Sequence, residues 1–248
     1  MKNIISILIL LSISTSFPHQ VIGSEPDTLI IIDAADSPLN ALPEEWEHIL
    51  PKKHRIYTHY SVERSIDGPF LLARSNSTAS WLELNMNDVD VIHYSTLEWQ
   101  WKVDTFPDVG WEQEASYDDF ALRIELVYDY KGSYKNILNI IKKGLILSIF
   151  KRYPPELIIS YVWSINVPSY EPYTSPNSSR TIIIPIESND IIKSRWIKEK
   201  RDIKKDLELF AGDKKLFLKK IRIRSDTDHS SSIAESGLKY IYLTTEIQ

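Results

Sequence analysis

Phe120-Ala121-Leu122-Arg123-Ile124-Glu125-Leu126-Val127-Tyr128 is the stretch whose reading decides the fold. Phe120, Leu122, Ile124, Leu126 and Tyr128 recur at every second position, with Ala121, Arg123 and Glu125 between them. A period of two places one set on each side of a pleated strand, so this segment predicts a strand with a buried face. Leu97-Glu98-Trp99-Gln100-Trp101-Lys102-Val103 repeats the pattern, with the apolar set on one side and Glu98, Gln100 and Lys102 on the other. Further candidates are Thr28–Ile32, Phe70–Arg74, Ser80–Leu84, Leu157–Trp163, Thr181–Ile186, Leu218–Arg224 and Lys239–Thr245. About nine short strands, separated by turn-rich segments such as Ser65-Ile66-Asp67-Gly68, predict an all-β chain. An antiparallel, jelly-roll-like β-sandwich is the expected architecture, and the missing βαβ alternation argues against a doubly wound sheet.

Two segments read as amphipathic helices inserted between strands. From Ser194 to Gly212, the residues Trp196, Ile203, Leu207 and Phe210 form an apolar stripe among lysines and arginines. Ser194 is placed to cap the start and Gly212 to stop the end. Tyr134–Tyr153 is the second, interrupted by Gly144. A basic amphipathic helix either packs on the sandwich or lies on an anionic membrane surface. Peripheral membrane contact through Ser194–Phe210 therefore stays open.

At the amino end, Lys2 is the only charge before Glu25, and Ile4–Leu11 is apolar apart from Ser6. This is the layout of a signal peptide, with cleavage after Gly23. The run is short for a membrane span, and a retained anchor is the alternative reading. Residues 1–23 are thus expected to be a signal peptide and 24–248 a single sandwich domain, periplasmic or secreted. With no Cys, there is no lipoprotein attachment point, no disulfide and no thiol nucleophile.

The composition, 43% hydrophobic and 25% charged, is that of a chain able to bury its own core. The net charge of −5 conceals a basic segment. Residues 193–224 hold 13 Lys or Arg against five Asp or Glu. The acidic remainder argues against nucleic acid as a partner, and the chain is expected to act as a monomer.

No sequence motif of known chemistry is present. There is no Gly-rich phosphate loop and no nucleophile elbow, and the six His residues never come in ligand-spaced pairs. Carboxylates remain. Asp118-Asp119 precedes the strand at 120–128, and Asp226-Thr227-Asp228 follows the strand ending at Arg224. Adjacent acids need their charge answered. The candidates are a cation such as Ca²⁺ held by Asp118, Asp226 and Asp228; an arginine among Arg123, Arg222 and Arg224; or solvent, with the side chains capping turns. Asp119 with Asp226 or Asp228 would also supply the two carboxylates that glycoside hydrolysis requires. Trp99, Trp101, Tyr161 and Trp163 are either core or an aromatic shelf for sugar rings, and Arg123 joins them as a ligand contact.

Leu42-Pro43-Glu44-Glu45-Trp46, Trp99-Gln100-Trp101-Lys102, Asp118-Asp119-Phe120-Ala121, Tyr161-Val162-Trp163-Ser164 and Asp226-Thr227-Asp228, in this order and spacing, resemble an exported bacterial family. It is catalogued as domain of unknown function number 3047, and the resemblance spans about residues 30–246. It implies an envelope β-sandwich of jelly-roll type and carries no established activity. The chain departs from the family pattern at Tyr117, where a Gly is usual, and in the longer segment Lys131–Pro155. Binding of carbohydrate or another envelope glycan without catalysis is the leading expectation. A carbohydrate-active hydrolase or lyase, or an envelope protein docking through the basic helix, are the alternatives.

Overall fold

The computed structural model describes residues 27–51, 56–131 and 154–245. The expected signal peptide and the helix at Tyr134–Tyr153 lie outside the described residues. The strands in chain order are β1 (Thr28–Asp33), β2 (Glu47–Ile49), β3 (His59–Ser65), β4 (Gly68–Asn76), β5 (Ala79–Val89), β6 (Thr96–Thr105) and β7 (Arg123–Tyr130). They continue with β8 (Leu157–Ser164), β9 (Tyr173–Thr174), β10 (Thr181–Ser188), β11 (Ile197–Asp202), β12 (Leu216–Asp226) and β13 (Ile233–Thr244). One helix, α1 (Ile203–Ala211), joins β11 to β12.

Two sheets form the sandwich. One has the order β11-β6-β13-β4-β3, with β1 also paired to β13; the other runs β2-β5-β12-β7-β8-β10-β9. All pairings are antiparallel except β8 with β10. The last two strands enter the middle of the sheets, β12 between β5 and β7 and β13 between β4 and β6. Each sheet is therefore complete only when its carboxyl-terminal strand has docked.

The alternation at 120–128 works as expected on one face, since Leu122, Ile124, Leu126 and Tyr128 are buried in the core. The strand itself begins at Arg123 rather than Phe120, and the opposite face is buried too: Arg123 and Glu125 are 2% and 4% exposed. Between the sheets, Trp99 stacks on Tyr161 at 5.7 Å and Trp101 lies 5.9 Å from Trp163. Trp99 and Trp101 meet edge to face at 5.4 Å, the geometry that the aromatic quadrupole favours.

The basic helix is corrected. Its first half is β11, in which Ile197, Glu199 and Arg201 are half-buried while Lys198 and Lys200 are exposed. Edge pairing with β6 wins here because the period is two, not 3.6. Of the stripe, Ile203, Leu207 and Phe210 sit on a helix, the first two buried in the core and Phe210 packed against it. Asp202, not Ser194, caps α1, accepting from Lys205 N at 2.9 Å. Gly212, at φ +57°, ends it as expected. Trp196 instead packs across Phe70, with ring centroids 5.7 Å apart, and over Gly237.

Strand directions bring six connections to one end of the sandwich: 50–58 (in its described parts, 50–51 and 56–58), 77–78, 106–122, 165–172, 189–196 and 227–232. This end is called the rim.

Candidate functional site

The acids near 118 and 226 do meet at the rim, and an arginine answers their charge. Arg123, the first residue of β7, turns its guanidinium to the end of β12. Its Nε and Nη2 donate to the two oxygens of Asp226 at 3.1 and 2.6 Å. Its Nη1 donates to Asp118 Oδ1 at 2.8 Å, and Nη2 also reaches the Asp118 carbonyl at 2.6 Å. Arg224 Nη2 adds a contact to Asp226 Oδ2 at 2.7 Å. Ser175 Oγ and Asn177 Nδ2 donate to Asp118 Oδ2 at 3.0 and 3.2 Å. Burial would strip the Arg123 proton, but Asp118 and Asp226 outweigh it and hold the group charged. Burial likewise opposes ionisation of Asp118, and Arg123 overrides it, leaving that carboxyl below its ordinary range. At Asp226 burial pushes the carboxyl up against the pull of Arg123 and Arg224.

This knot corrects two expectations. A cation cannot be held by Asp118, Asp226 and Asp228 as a set, because the guanidinium of Arg123 already lies between Asp118 and Asp226. Asp226 is also unsuited to acid–base work, since both its oxygens are engaged and none of its surface is exposed. Arg123, 2% exposed and fully engaged, is a structural cation rather than a ligand contact.

Asp119 points to a different partner. Its oxygens accept from the backbone N–H of His229 and Ser230 at 3.4 and 2.6 Å, and from the His229 ring, whose Nδ1 lies 3.3 Å away. Asp228 Oδ1 stands 3.6 Å from the same Nδ1. Asp119 is fully buried and His229 is exposed. The donor atoms of Asp119, Asp228 and His229 lie within 4.8 Å of one another. An imidazole with two carboxylates suits a transition-metal ion better than Ca²⁺, which prefers six to eight oxygens. Spacing between histidines gives no sign of His229; the signal for it in the sequence is its place directly after Asp226-Thr227-Asp228.

The aromatic shelf is also corrected. Trp99, Trp101, Tyr161 and Trp163 are all at most 1% exposed, so none offers a ring face to a ligand. They fill the gap between the sheets because period-two apolar positions on central strands face inward. The accessible rings sit elsewhere. Trp111 on the rim connection 106–122 is 49% exposed, and Tyr57 on 50–58 is half-buried. Tyr57 borders a cleft of about 420 Å³ between the edge strands β2 and β3, lined also by Leu42, His48, Ile56, Thr58, His59 and the buried Tyr60. His48 Nε2 contacts Ser80 Oγ at 2.9 Å, and His59 Nε2 contacts Ser61 Oγ at 3.1 Å. Burial, and then the neighbouring His59, lower the His48 imidazole below its usual range, so it is neutral at pH 7. The Thr58 hydroxyl donates to the Ser225 carbonyl at 2.9 Å, which ties the cleft wall to the end of β12 beside the arginine knot. Alternation could not mark Ile56, Tyr57 and Thr58, which lie on a connection, nor His48 and His59, whose edge strands β2 and β3 show no alternation.

The sequence profile of the family described as "Protein of unknown function (DUF3047)" matches residues 44–242. No curated protein matches the chain. Among solved structures, it is similar to the family 11 carbohydrate-binding module of a cellulosomal cellulase from Clostridium thermocellum. The TM-score is 0.46 at 9% identity, over 91% of this chain and 98% of that one. It is also similar to the glycoside hydrolase domain of Endo-D from Streptococcus pneumoniae, with a TM-score of 0.33 at 7% identity. That match covers 82% of this chain and 22% of the other. Among the described residues, no helix is long and apolar enough to cross a membrane.

Proposed function

The chain belongs to the family of proteins of unknown function DUF3047, and from its rim we propose that it is an exported protein binding an envelope glycan without catalysis. The cleft at Tyr57 carries this reading. It is concave and open, with the rings of Tyr57 and Tyr60, two aliphatic side chains and two imidazoles around its wall. Sugar rings present an apolar C–H face and equatorial hydroxyls. Tyr57, Leu42 and Ile56 suit the first, and the imidazoles of His48 and His59 suit the second. The chain's own carboxylates support binding over hydrolysis. Asp118 and Asp226 are spent on Arg123, and Asp119 on the His229 loop. Export rests on the apolar run Ile4–Leu11 behind Lys2.

The test is a glycan-array screen of the mature chain with and without Ca²⁺ and Mn²⁺, followed by calorimetry on any hit. Saturable binding without turnover supports the reading, as does loss of the hit when Tyr57 is replaced. Product release from the bound glycan would overturn it, and so would a hit that ignores every residue of the cleft. Dependence on Ca²⁺ or Mn²⁺ would bring Asp119, Asp228 and His229 into the site.

A further inference from the structure

Beside the arginine knot, a second group of rim side chains is used neither by the knot nor by the Tyr57 cleft. Asp226 N donates to the Phe120 carbonyl at 3.2 Å, and this bond lays residue 119 against the start of the connection 227–232. Thr227 N donates to the Thr78 carbonyl at 2.9 Å and anchors the same connection to the turn at 77–78. Asp119 from one connection thereby meets Asp228 and His229 from another.

The Asp119 carboxylate has no exposed surface, and among the described residues no lysine or arginine pairs with it. Buried charges are paired or coordinate metals. Ser230 N takes Oδ2 at 2.6 Å. The other oxygen, Oδ1, is turned to His229, whose backbone N–H and ring Nδ1 approach it at 3.4 and 3.3 Å. Asp228 Oδ1 stands 3.6 Å from the same Nδ1.

These distances are long for a ring held by charge alone. An imidazolium draws a carboxylate oxygen to about 2.7–2.9 Å. They match two ligands of one ion instead. Nitrogen and oxygen donors lie about 2.0–2.2 Å from zinc, so at the tetrahedral angle two of them stand about 3.4 Å apart. Nδ1 keeps close to that spacing from an oxygen of each carboxylate.

We propose that Asp119, Asp228 and His229 bind one divalent transition ion of the zinc class through Oδ1, Oδ1 and Nδ1, and that the ion clasps the connection 227–232 to the connection 106–122. Three protein ligands leave a fourth position for water. The His229 side chain is 34% exposed, which gives the ion and that water a way in. Ser230 N, bound to Oδ2, orients the Asp119 carboxylate as outer-shell partners of metal ligands do. Asp118 and Asp226 take no part, since Arg123 holds them. The site does not rest on the glycan reading.

The experiment is calorimetry on the chain, free of any tag and stripped with a chelator, titrated with Zn²⁺, Mn²⁺ and Ca²⁺ in turn. One zinc per chain is expected, bound more tightly than calcium and raising the melting temperature. Zinc should also shift the His229 ring signals in NMR spectra. His229→Ala and Asp228→Asn should each weaken zinc at least about tenfold, the least that losing even an outer-shell partner costs. His93→Ala removes an exposed imidazole 3.6 Å from Asp27 and should leave zinc affinity unchanged. Absence of zinc binding would overturn the site. So would an affinity that survives both ligand variants, or that falls equally in His93→Ala. If one ligand variant does not fold, the other and the wild-type ring signals decide, and signals indifferent to zinc overturn the clasp. None of these readouts involves a glycan, so the clasp can fail while the binding reading stands.

Discussion

Arg123 and Asp226 stand 103 positions apart, yet the guanidinium grips the carboxylate through two bonds of 3.1 and 2.6 Å in a place no solvent reaches. The pair fastens the start of β7 to the end of β12, which is its neighbour in the sheet. It also holds the connection 106–122 down through Asp118. The rim is thereby rigid where its loops leave the sheet, and the cleft and the His229 loop are built on that base.

Removing the cation should be severe. Arg123→Met would leave Asp118 and Asp226 buried and facing each other, and breaking a buried pair in this way costs about 3–5 kcal/mol. Arg123→Lys keeps the charge but lacks the fork that reaches three carboxylate oxygens and a carbonyl at once, so it should recover only part of the loss. Urea denaturation with an unchanged slope and a lower midpoint would show it. A Met variant as stable as wild type would mean that the knot contributes specificity rather than stability.

Acid should loosen the same knot. Asp118 is held below its ordinary value of 3.8, because Arg123 outweighs the effect of burial. Such a group contributes stability that is present above the unfolded value and lost as pH falls through the folded one. Wild-type stability should therefore drop below pH 3.8 more steeply than that of Asp118→Asn, which has already lost the contribution at neutral pH. Parallel acid limbs for the two proteins would contradict the assignment.

Gly237→Ala tests the correction at Trp196. A methyl group on Gly237 would lie 2.9 Å from both Phe70 Cδ2 and Trp196 Cη2. These rings pack edge to face and are flanked by Lys102 and Lys239, whose amines lie 5.2 and 4.6 Å from the Trp196 ring. Overpacking of this kind costs about 1–3 kcal/mol. The double variant Gly237→Ala with Trp196→Leu should recover part of the loss, because the smaller side chain makes room. A single variant as stable as the wild type would show that the rings move aside freely.

The strands were legible where apolar side chains alternate with polar ones: the alternation at 97–103 and 120–128 is a direct imprint of β6 and β7, even though both faces of β7 are buried. It failed at β11, where partly buried edge positions carry Glu199 and Arg201 instead of apolar side chains, and where Ile203 and Leu207 lent a helical period to residues before the helix. It missed β2 and β3, whose mixed sequences Glu47-His48-Ile49 and His59-Tyr60-Ser61 show no alternation. The acid pairs were visible as oddities. Their partners were not, because Arg123 reaches Asp226 only once β7 and β12 lie side by side. Connections position the cleft, and no periodicity describes a connection.

The same distinction separates rings that fold the chain from rings that can meet a ligand, and paired substitutions should reveal it. Trp101 is fully buried, lies tilted against Trp163 at 5.9 Å and donates to Glu199. Trp101→Ala should cost about 3–5 kcal/mol through the cavity it leaves, and any loss of glycan binding should follow the loss of folded protein. Tyr57 is half-buried on a connection, so Tyr57→Ala should change stability by less than about 1 kcal/mol. Glycan affinity should nevertheless fall about tenfold or more, equivalent to ~1.4 kcal/mol of binding. His59→Ala should behave in the same direction. Melting curves and calorimetry on the same preparations separate the two effects. If Tyr57→Ala binds like the wild type while a folded Trp101 variant does not, the ligand enters between the sheets and the cleft is only a surface feature.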